Sequence, residues 1–362
     1  MGQQPEKKPW IETPLIESAA LSKTAGCRIF LKLELLQPSG SFKSRGIGNL
    51  ILSCLADPAN HGKKLHFYSS SGGNAGLAAV TAARDLGYEC TVIVPRSTKP
   101  MMVEKLHEAG AADVVIAGDS WFDADTFLRE KYIENQDEHA EERNVYVPPF
   151  DHPEIWKGAS TMVSEIAAQL PPRAAGESEC PFPADMIVCS VGGGGLFIGL
   201  IEGLEGYLQS HQANVSKGSQ RKNVQVLAVE TEGADSLAHS LRSGSLQSLP
   251  GITSLANTLG AIRVAPQAFK NAQSPPAGIE VKSYVGPDSE AARGVVRLAE
   301  TQRLQVELAC GISVEAAMSE RLKNLVPGLT PDSRVVIVVC GGSTITTEGI
   351  VEYAERLKNG WV

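Results

Sequence analysis

Met186-Ile187-Val188-Cys189-Ser190-Val191-Gly192-Gly193-Gly194-Gly195-Leu196 is a short apolar run that ends in consecutive glycines and reopens as an amphipathic segment reaching Gln209. An apolar run of this length bounded by turn residues reads as a strand, and the longer segment after it as a helix. The junction is the informative part. Consecutive glycines give up backbone entropy, yet they let the main chain wrap closely around an anion and aim its N–H groups at it, just ahead of a helix start. A flexible turn is the plain alternative. The spacing is not a dinucleotide fingerprint, because counting G-x-G-x-x-G from Gly192 or Gly193 puts Phe197 or Ile198 where the last glycine belongs. No G-x-x-x-x-G-K-[ST] motif for a nucleoside triphosphate occurs.

The same alternation runs along the chain. Strand-like runs occupy Arg28 to Leu33, Leu65 to Tyr68, Cys90 to Val94, Asp113 to Ile116, Met186 to Cys189, Val224 to Val229 and Arg334 to Val339. Helical segments fill Lys43 to Leu55, Asn74 to Leu86, Pro100 to Ala109, Glu154 to Gln169, Leu196 to Gln209, Glu290 to Thr301, Ser313 to Leu325 and Thr346 to Leu357. Helices of these lengths suit crossovers between parallel strands, so the predicted class is α/β with mainly parallel open sheets. Pro171 to Pro183 and Ala213 to Asn223 read as surface loops, and the acid-rich Glu134 to Arg143 as a solvated helix end or loop. There is no internal repeat on the scale of about 20 to 50 residues.

Composition narrows the function classes. The 362 residues are 43% hydrophobic, enough for a sizeable core in about two domains. A net charge of −8 offers no basic field for nucleic acid or anionic lipid, which leaves small-molecule work. The seven cysteines (27, 54, 90, 180, 189, 310 and 340) are scattered without a C-x-x-C pair, against both a disulfide framework and structural zinc, and in favour of a reducing compartment. The opening residues are polar, without a signal core, and Glu6 stands where a myristoylation signal needs Ser or Thr. No apolar run approaches the roughly 20 residues of a membrane-spanning helix, and a soluble, cytoplasmic protein is expected.

Three further stretches carry chemistry. In Gln37-Pro38-Ser39-Gly40-Ser41-Phe42-Lys43-Ser44-Arg45-Gly46 a turn delivers an aromatic residue and a lysine to a helix start. A partly desolvated lysine there has a depressed pKa and can form a Schiff base with a carbonyl, whereas an ordinary lysine is simply exposed. In Ser69-Ser70-Ser71-Gly72-Gly73-Asn74-Ala75-Gly76 a glycine-containing turn between strand and helix points backbone N–H groups at one spot, a site for a carboxylate, with Ser71 and Asn74 adding side-chain bonds. A simple turn or cap is the other reading. Lastly, Val335 to Val339 runs into Cys340-Gly341-Gly342-Ser343 and leaves Cys340 at the carboxyl end of a buried strand, where open α/β sheets place ligands, although a buried cysteine is often inert packing.

Taken together, Pro38 to Lys43, Ser71 to Gly76, Ser190 to Gly195 and Cys340 to Ser343 resemble, in order and spacing, the fold-type II pyridoxal-phosphate enzymes. Within that family the chain is most similar to the liver-type serine dehydratases, from Thr13 to near the C-terminus and including Pro148-Pro149-Phe150-Asp151 and Ile155-Trp156. The resemblance implies that Lys43 covalently holds pyridoxal 5'-phosphate, Phe42 packs on its ring, Asn74 bonds its 3' oxygen and Gly192, Gly193, Gly194 and Gly195 bind its phosphate. Cys340 would face the pyridine nitrogen. Ser71, Gly72, Gly73, Asn74 and Ala75 would clasp the substrate carboxylate. A monovalent cation, K+, maps onto Glu230, Ala234 and Ser236 with the carbonyls of Leu259 and Ala261. Hard oxygen ligands suit it.

The implied reaction is loss of water from L-serine, and from L-threonine, to give pyruvate or 2-oxobutanoate and ammonia. Lys43 would be the general base and the cofactor phosphate, as in relatives, the acid. A neutral thiol at Cys340 cannot hold the pyridine nitrogen protonated as an aspartate does, which favours elimination over transamination. Serine racemase and β-replacing relatives share the lysine turn but usually carry Ser or Thr in place of Cys340; a catalytically silent sensor is the non-enzymatic rival. Three departures from the family pattern stand out: Gly72 for the usual Ser or Ala, Thr258 for a small apolar residue, and Leu308 for proline in Glu307-Leu308-Ala309-Cys310-Gly311. The resemblance also implies a large cofactor domain (residues 1–46 and 151–362), a small substrate-clasping domain (47–150) and a homodimer.

Overall fold

The computed structural model describes residues 7–134, 136–137, 140–173, 180–211 and 222–362, without the side chains of 319 and 320. Parts of three expected loops therefore lie outside the described residues: 174–179 of Pro171 to Pro183, 213–221 of Ala213 to Asn223, and 135, 138 and 139 of Glu134 to Arg143. The chain divides into two compact units, Met1–Ile11 with Leu36–Ala159, and Glu12–Leu35 with Ser160–Val362. Each unit is built on one sheet.

The second unit holds six strands in the order β1-β2-β10-β7-β8-β9: β1 (Leu15–Glu17), β2 (Arg28–Lys32), β7 (Met186–Ser190), β8 (Val224–Thr231), β9 (Ile279–Gly286) and β10 (Arg334–Val338). All neighbours run parallel except β1, which pairs antiparallel with β2. Every residue of β7 and β10 is buried, as expected of central parallel strands covered on both faces. The first unit holds four parallel strands in the order β5-β4-β3-β6: β3 (Lys64–Ser69), β4 (Glu89–Val94), β5 (Asp113–Ile116) and β6 (Glu142–Val147). The α/β class with mainly parallel sheets is the observed one. Among the described residues no helix is long and apolar enough to cross a membrane.

Strand order decides where ligands go. From β7 the chain steps outward to β8 and then β9, while β10 returns to the other side of β7; likewise β4 and β5 leave β3 on one side and β6 returns on the other. Each sheet thus reverses direction next to one strand, β7 and β3 respectively, and such switch points open a crevice at the carboxyl ends of the strands. The glycine run follows β7 and the Ser71 turn follows β3.

The elements that the sequence reading placed match closely, with one correction, while the short helices Ala19–Ala25, Trp121–Leu128, Ser236–Ser243 and Pro266–Gln273 went unread. The single helix expected over Ser313 to Leu325 is two helices, Leu308–Ala316 and Ser319–Leu325, separated at Met318, whose backbone is extended (φ −98°, ψ 145°). No glycine or proline marks this break. The last turn tightens instead: the Ala317 and Met318 N–H groups donate three residues back, to the Val314 and Glu315 carbonyls at 3.2 and 3.0 Å, and Arg321 Nη1 also donates to the Glu315 carbonyl at 3.4 Å. The helix starts at Leu308, the position where proline is tolerated in a first turn, so leucine there leaves the start unchanged. Strands β1, β6 and β9 were missed; each lies at a sheet edge, where charged and polar residues such as Glu142, Arg143, Glu280 and Lys282 blur the alternation.

Candidate active site

In the first unit the lysine turn is built from its own residues. Gly40 closes it with a positive φ of 77° and an N–H bond to the Gln37 carbonyl at 2.7 Å, while the hydroxyls of Ser39 and Ser44 meet at 2.8 Å. Lys43 is the first residue of helix Lys43–Ala56 and is half-buried. Its Nζ donates to the Pro149 carbonyl at 2.6 Å and lies 5.3 Å from the centre of the Phe42 ring. The helix is held in that place by close backbone approach. A Cβ on Gly46 would come within 2.7 Å of the Ile155 carbonyl oxygen, and one on Gly158 within 2.3 Å of the Arg45 carbonyl oxygen. Asn49 completes the clamp by donating to the Glu154 backbone and side chain, both at 2.8 Å. The lysine and the Pro149 segment are therefore registered against each other through glycines that no larger residue could replace without displacement.

The turn after β3 is equally close-packed. Gly76 faces the Ser71 carbonyl oxygen so tightly that a Cβ would lie 1.9 Å from it, and a Cβ on Gly72 would lie 2.8 Å from the Thr98 methyl carbon. The departure at Gly72 is thus matched by Thr98, which occupies the space a larger residue would need. Ser71 Oγ accepts from the Gly73 N–H at 3.3 Å, and helix Asn74–Leu86 begins directly after it. The first N–H groups of a helix have no intrahelical partner and its dipole favours an anion there, so the turn suits a carboxylate.

In the second unit, the parallel pairing of β7 with both β8 and β10 brings three remote segments to one edge of the sheet: Gly192–Gly195 after β7, Glu230 at the end of β8 and Cys340 after β10. Two positions of the glycine run leave little room for a side chain. Gly194 has φ +95°, and its Cβ would be 2.6 Å from the Ala268 Cβ; one on Gly192 would be 3.1 Å from the Leu259 Cα. Helix Gly195–His211 opens at its end, with the Ile198 N–H already bonded to the Gly194 carbonyl at 2.8 Å. This arrangement fits a phosphate.

Cys340 is buried, and its Sγ lies 3.6 Å from the Ser190 hydroxyl. A hydrogen bond with the Cys310 thiol, reinforced by burial, holds the Cys340 thiol far above its ordinary range, so it stays protonated and neutral. Beside it, Glu307 accepts from the Thr344 N–H at 2.7 Å and from the Thr258 hydroxyl at 2.8 Å, and its carboxylate fills the space that a side chain on Gly342 would take. Thr258 therefore serves a buried carboxylate that a small apolar residue could not reach. Thr258→Val is expected to cost about 1–3 kcal/mol of stability, read as a lower denaturant midpoint, because it removes one hydrogen bond from a buried carboxylate.

Glu230 is fully buried and accepts from the Leu237 and Ala238 N–H groups, both at 2.8 Å. Burial pushes its carboxyl up to about 8 in spite of those two bonds. The Ser236 hydroxyl is also fully buried and has no hydrogen-bond partner among the described residues. A buried carboxylate beside an unsatisfied oxygen suits a hard cation. Among the described residues no cluster of three or more His, Cys, Asp or Glu forms a conventional metal site.

Sequence reasoning singled out the lysine, both turns and Cys340. It quoted Pro149, Ser190, Glu307 and Cys310 without giving them these partners. They act through contacts between positions 30 to 150 apart, for which no local signal exists.

Comparison with known proteins agrees with this geometry. The family described as pyridoxal-phosphate dependent enzyme matches residues 7–341. An L-serine dehydratase of Saccharomyces cerevisiae is 40% identical over 350 residues, 96% of this chain and 97% of that protein. The crystal structure of a fungal L-serine ammonia-lyase from Rhizomucor miehei superposes with a TM-score of 0.81 at 30% identity, covering 97% of this chain and 99% of that one. A maize serine racemase shares the fold, with a TM-score of 0.72 at 22% identity over 97% of this chain and 94% of its own.

Proposed function

This chain belongs to the pyridoxal-phosphate-dependent enzyme family, and on that footing we propose that it is an L-serine ammonia-lyase, removing water from L-serine, and from L-threonine, to give pyruvate or 2-oxobutanoate and ammonia. The observation that carries the reading is the Lys43 amine, held at 2.6 Å by a carbonyl acceptor at a helix start, on the same unit as a turn built for a carboxylate. When bound, the cofactor supplies the electron sink that lets a proton leave Cα. Lys43 would tether its aldehyde, Phe42 would pack on its ring, Asn74 would bond its 3' oxygen, and Gly192 to Gly195 would hold its phosphate.

The residues of the chain divide the remaining work. Ser71 to Ala75 bind the substrate carboxylate and so fix which Cα bond is labile. Lys43 Nζ takes the Cα proton as general base. The Pro149 carbonyl can only accept, so it orients Nζ as a donor and gives the newly protonated amine a partner. Cys340 would present a neutral thiol to the bound cofactor and so would supply no negative charge to its ring nitrogen, which favours loss of the β-hydroxyl over return of the proton. Incubation with L-serine and added cofactor should release pyruvate and ammonia in equal amounts. Accumulation of D-serine without pyruvate would point to a racemase instead.

K+ is assigned to Glu230, Ala234 and Ser236 with the carbonyls of Leu259 and Ala261, supported by the buried carboxylate and the unpartnered Ser236 hydroxyl. Exchanging K+ for tetramethylammonium should lower the melting temperature by at least about 2 °C, and Glu230→Gln should abolish that difference. An unchanged melting curve in both salts would remove the cation from the assignment. A homodimer in the cytoplasm completes the reading; all seven cysteines are free thiols, in keeping with a reducing compartment.

A further inference from the structure

We propose that Asp125 is a positioning residue for the substrate carboxylate, tying the turn that receives it to the strand that leads to the lysine's acceptor; the inference rests on the carboxylate role given above to Ser71–Ala75.

Asp125 sits in helix Trp121–Leu128, whose start is fixed by a capping box between Ser120 and Asp123. It is buried, 7% exposed, and surrounded by donors. Its Oδ1 accepts from the Ser70 hydroxyl and from the Tyr146 hydroxyl, both at 2.6 Å, and its Oδ2 accepts from Arg129 Nε at 2.7 Å. The Arg129 guanidinium lies 4.3 Å from the Tyr146 ring centre, closing the group. Burial, and next the bond to Asp125, keep the Tyr146 phenol protonated as a donor. Short bonds to an ionised acceptor are the strong kind, and breaking one inside a dry site costs more than a neutral pair would.

What makes this group more than a structural ion pair is where its three members sit. Ser70 is fully buried, directly after β3 and directly before Ser71, so its side chain anchors the first residue of the carboxylate turn. Tyr146 lies on β6, in register with Tyr68 on β3, and two residues past the end of that strand at Val147 the chain reaches Pro149, the acceptor of the Lys43 amine. Asp125 holds both ends. The turn has no slack to absorb a shift at Ser70, because Gly72 and Gly76 are already in van der Waals contact with Thr98 and Ser71. A displacement of Ser70 therefore reaches the N–H groups of Gly73, Asn74 and Ala75.

Asp125→Asn, nearly the same shape, turns an N–H toward Arg129 or toward the two hydroxyls. In the holoenzyme it should raise the KM for L-serine about 10-fold while kcat changes less than about 3-fold. Tyr146→Phe, which keeps the charge, should raise KM in the same direction by a smaller factor and serves if Asp125→Asn does not fold. Backbone hydrogen exchange at residues 71–75 should accelerate in both variants while exchange in β4 does not. Unchanged KM and unchanged turn exchange in folded variants would overturn the positioning role, as would a fall in kcat that merely tracks the melting temperature. Wild-type protein that forms no pyruvate from L-serine would instead overturn the assigned reaction, and the exchange measurement would still decide whether Asp125 orders the turn.

Discussion

Lys43→Ala should lower pyruvate formation from L-serine by about 10⁴-fold or more, since it removes the group assigned both as general base and as covalent anchor of the cofactor. The fold should survive. Lys43 is the first residue of its helix and half-buried, and alanine is the best helix former, so the stability change is expected to stay within about 1 kcal/mol. The helix remains clamped by the close approach at Gly46 and Gly158 and by the Asn49 bonds to Glu154. Two measurements separate chemistry from folding: steady-state pyruvate release, and the visible absorbance of the cofactor bound to the purified variant. Added small primary amines should recover a fraction of the rate by standing in for Nζ. A variant with more than a few per cent of wild-type activity would remove Lys43 from the mechanism.

Gly194→Ala should weaken cofactor binding by about 10²-fold, a loss near 2.7 kcal/mol. Two effects combine. Alanine at φ +95° costs about 1–3 kcal/mol of backbone strain, and its Cβ would lie 2.6 Å from the Ala268 Cβ. The loop must move to relieve either, and it carries the groups assigned to the phosphate. Titrating the cofactor-free variant with pyridoxal 5'-phosphate reads the change directly. Adding Ala268→Gly removes the clash but leaves the strain, so the double variant should recover only part of the affinity. Full recovery would show that crowding alone decides the position, and no loss in the single variant would sever the loop from the phosphate.

Lys43, Asn74 and the glycine run were legible because each lies at a strand-to-helix junction, which is written in contiguous residues. The helix Asn74–Leu86 begins and ends where the sequence placed it, since its start follows a glycine turn and its end meets Gly87 with φ +85°. Asp125 was not legible. In the sequence it is one acidic residue of a stretch assigned to no element, where the structure has helix Trp121–Leu128, and only the pairing of β3 with β6 sets Ser70 and Tyr146 around it. Glu307 is similar: without the Gly342 backbone and Thr258 nearby, nothing separates it from a solvated glutamate. The two-helix outcome at Met318 belongs with these, because the helix ends in a tightened turn whose Glu315 carbonyl also accepts from Arg321, with no glycine or proline to announce it.

By itself, then, the order of residues determined the α/β class and singled out Lys43, the Ser71–Gly76 turn and the glycine run as candidates for the reaction, because backbone preference, periodicity and turn chemistry act over a few neighbouring positions. Tertiary structure alone decided which carbonyl receives the Lys43 amine, that Cys340 stays protonated beside Cys310, and that Asp125 bonds Ser70 beside the Ser71 turn. Those depend on strand order and on backbone contacts between distant segments. Desolvation and hydrogen bonding act at distances of a few ångströms, and only the folded chain sets which groups meet there.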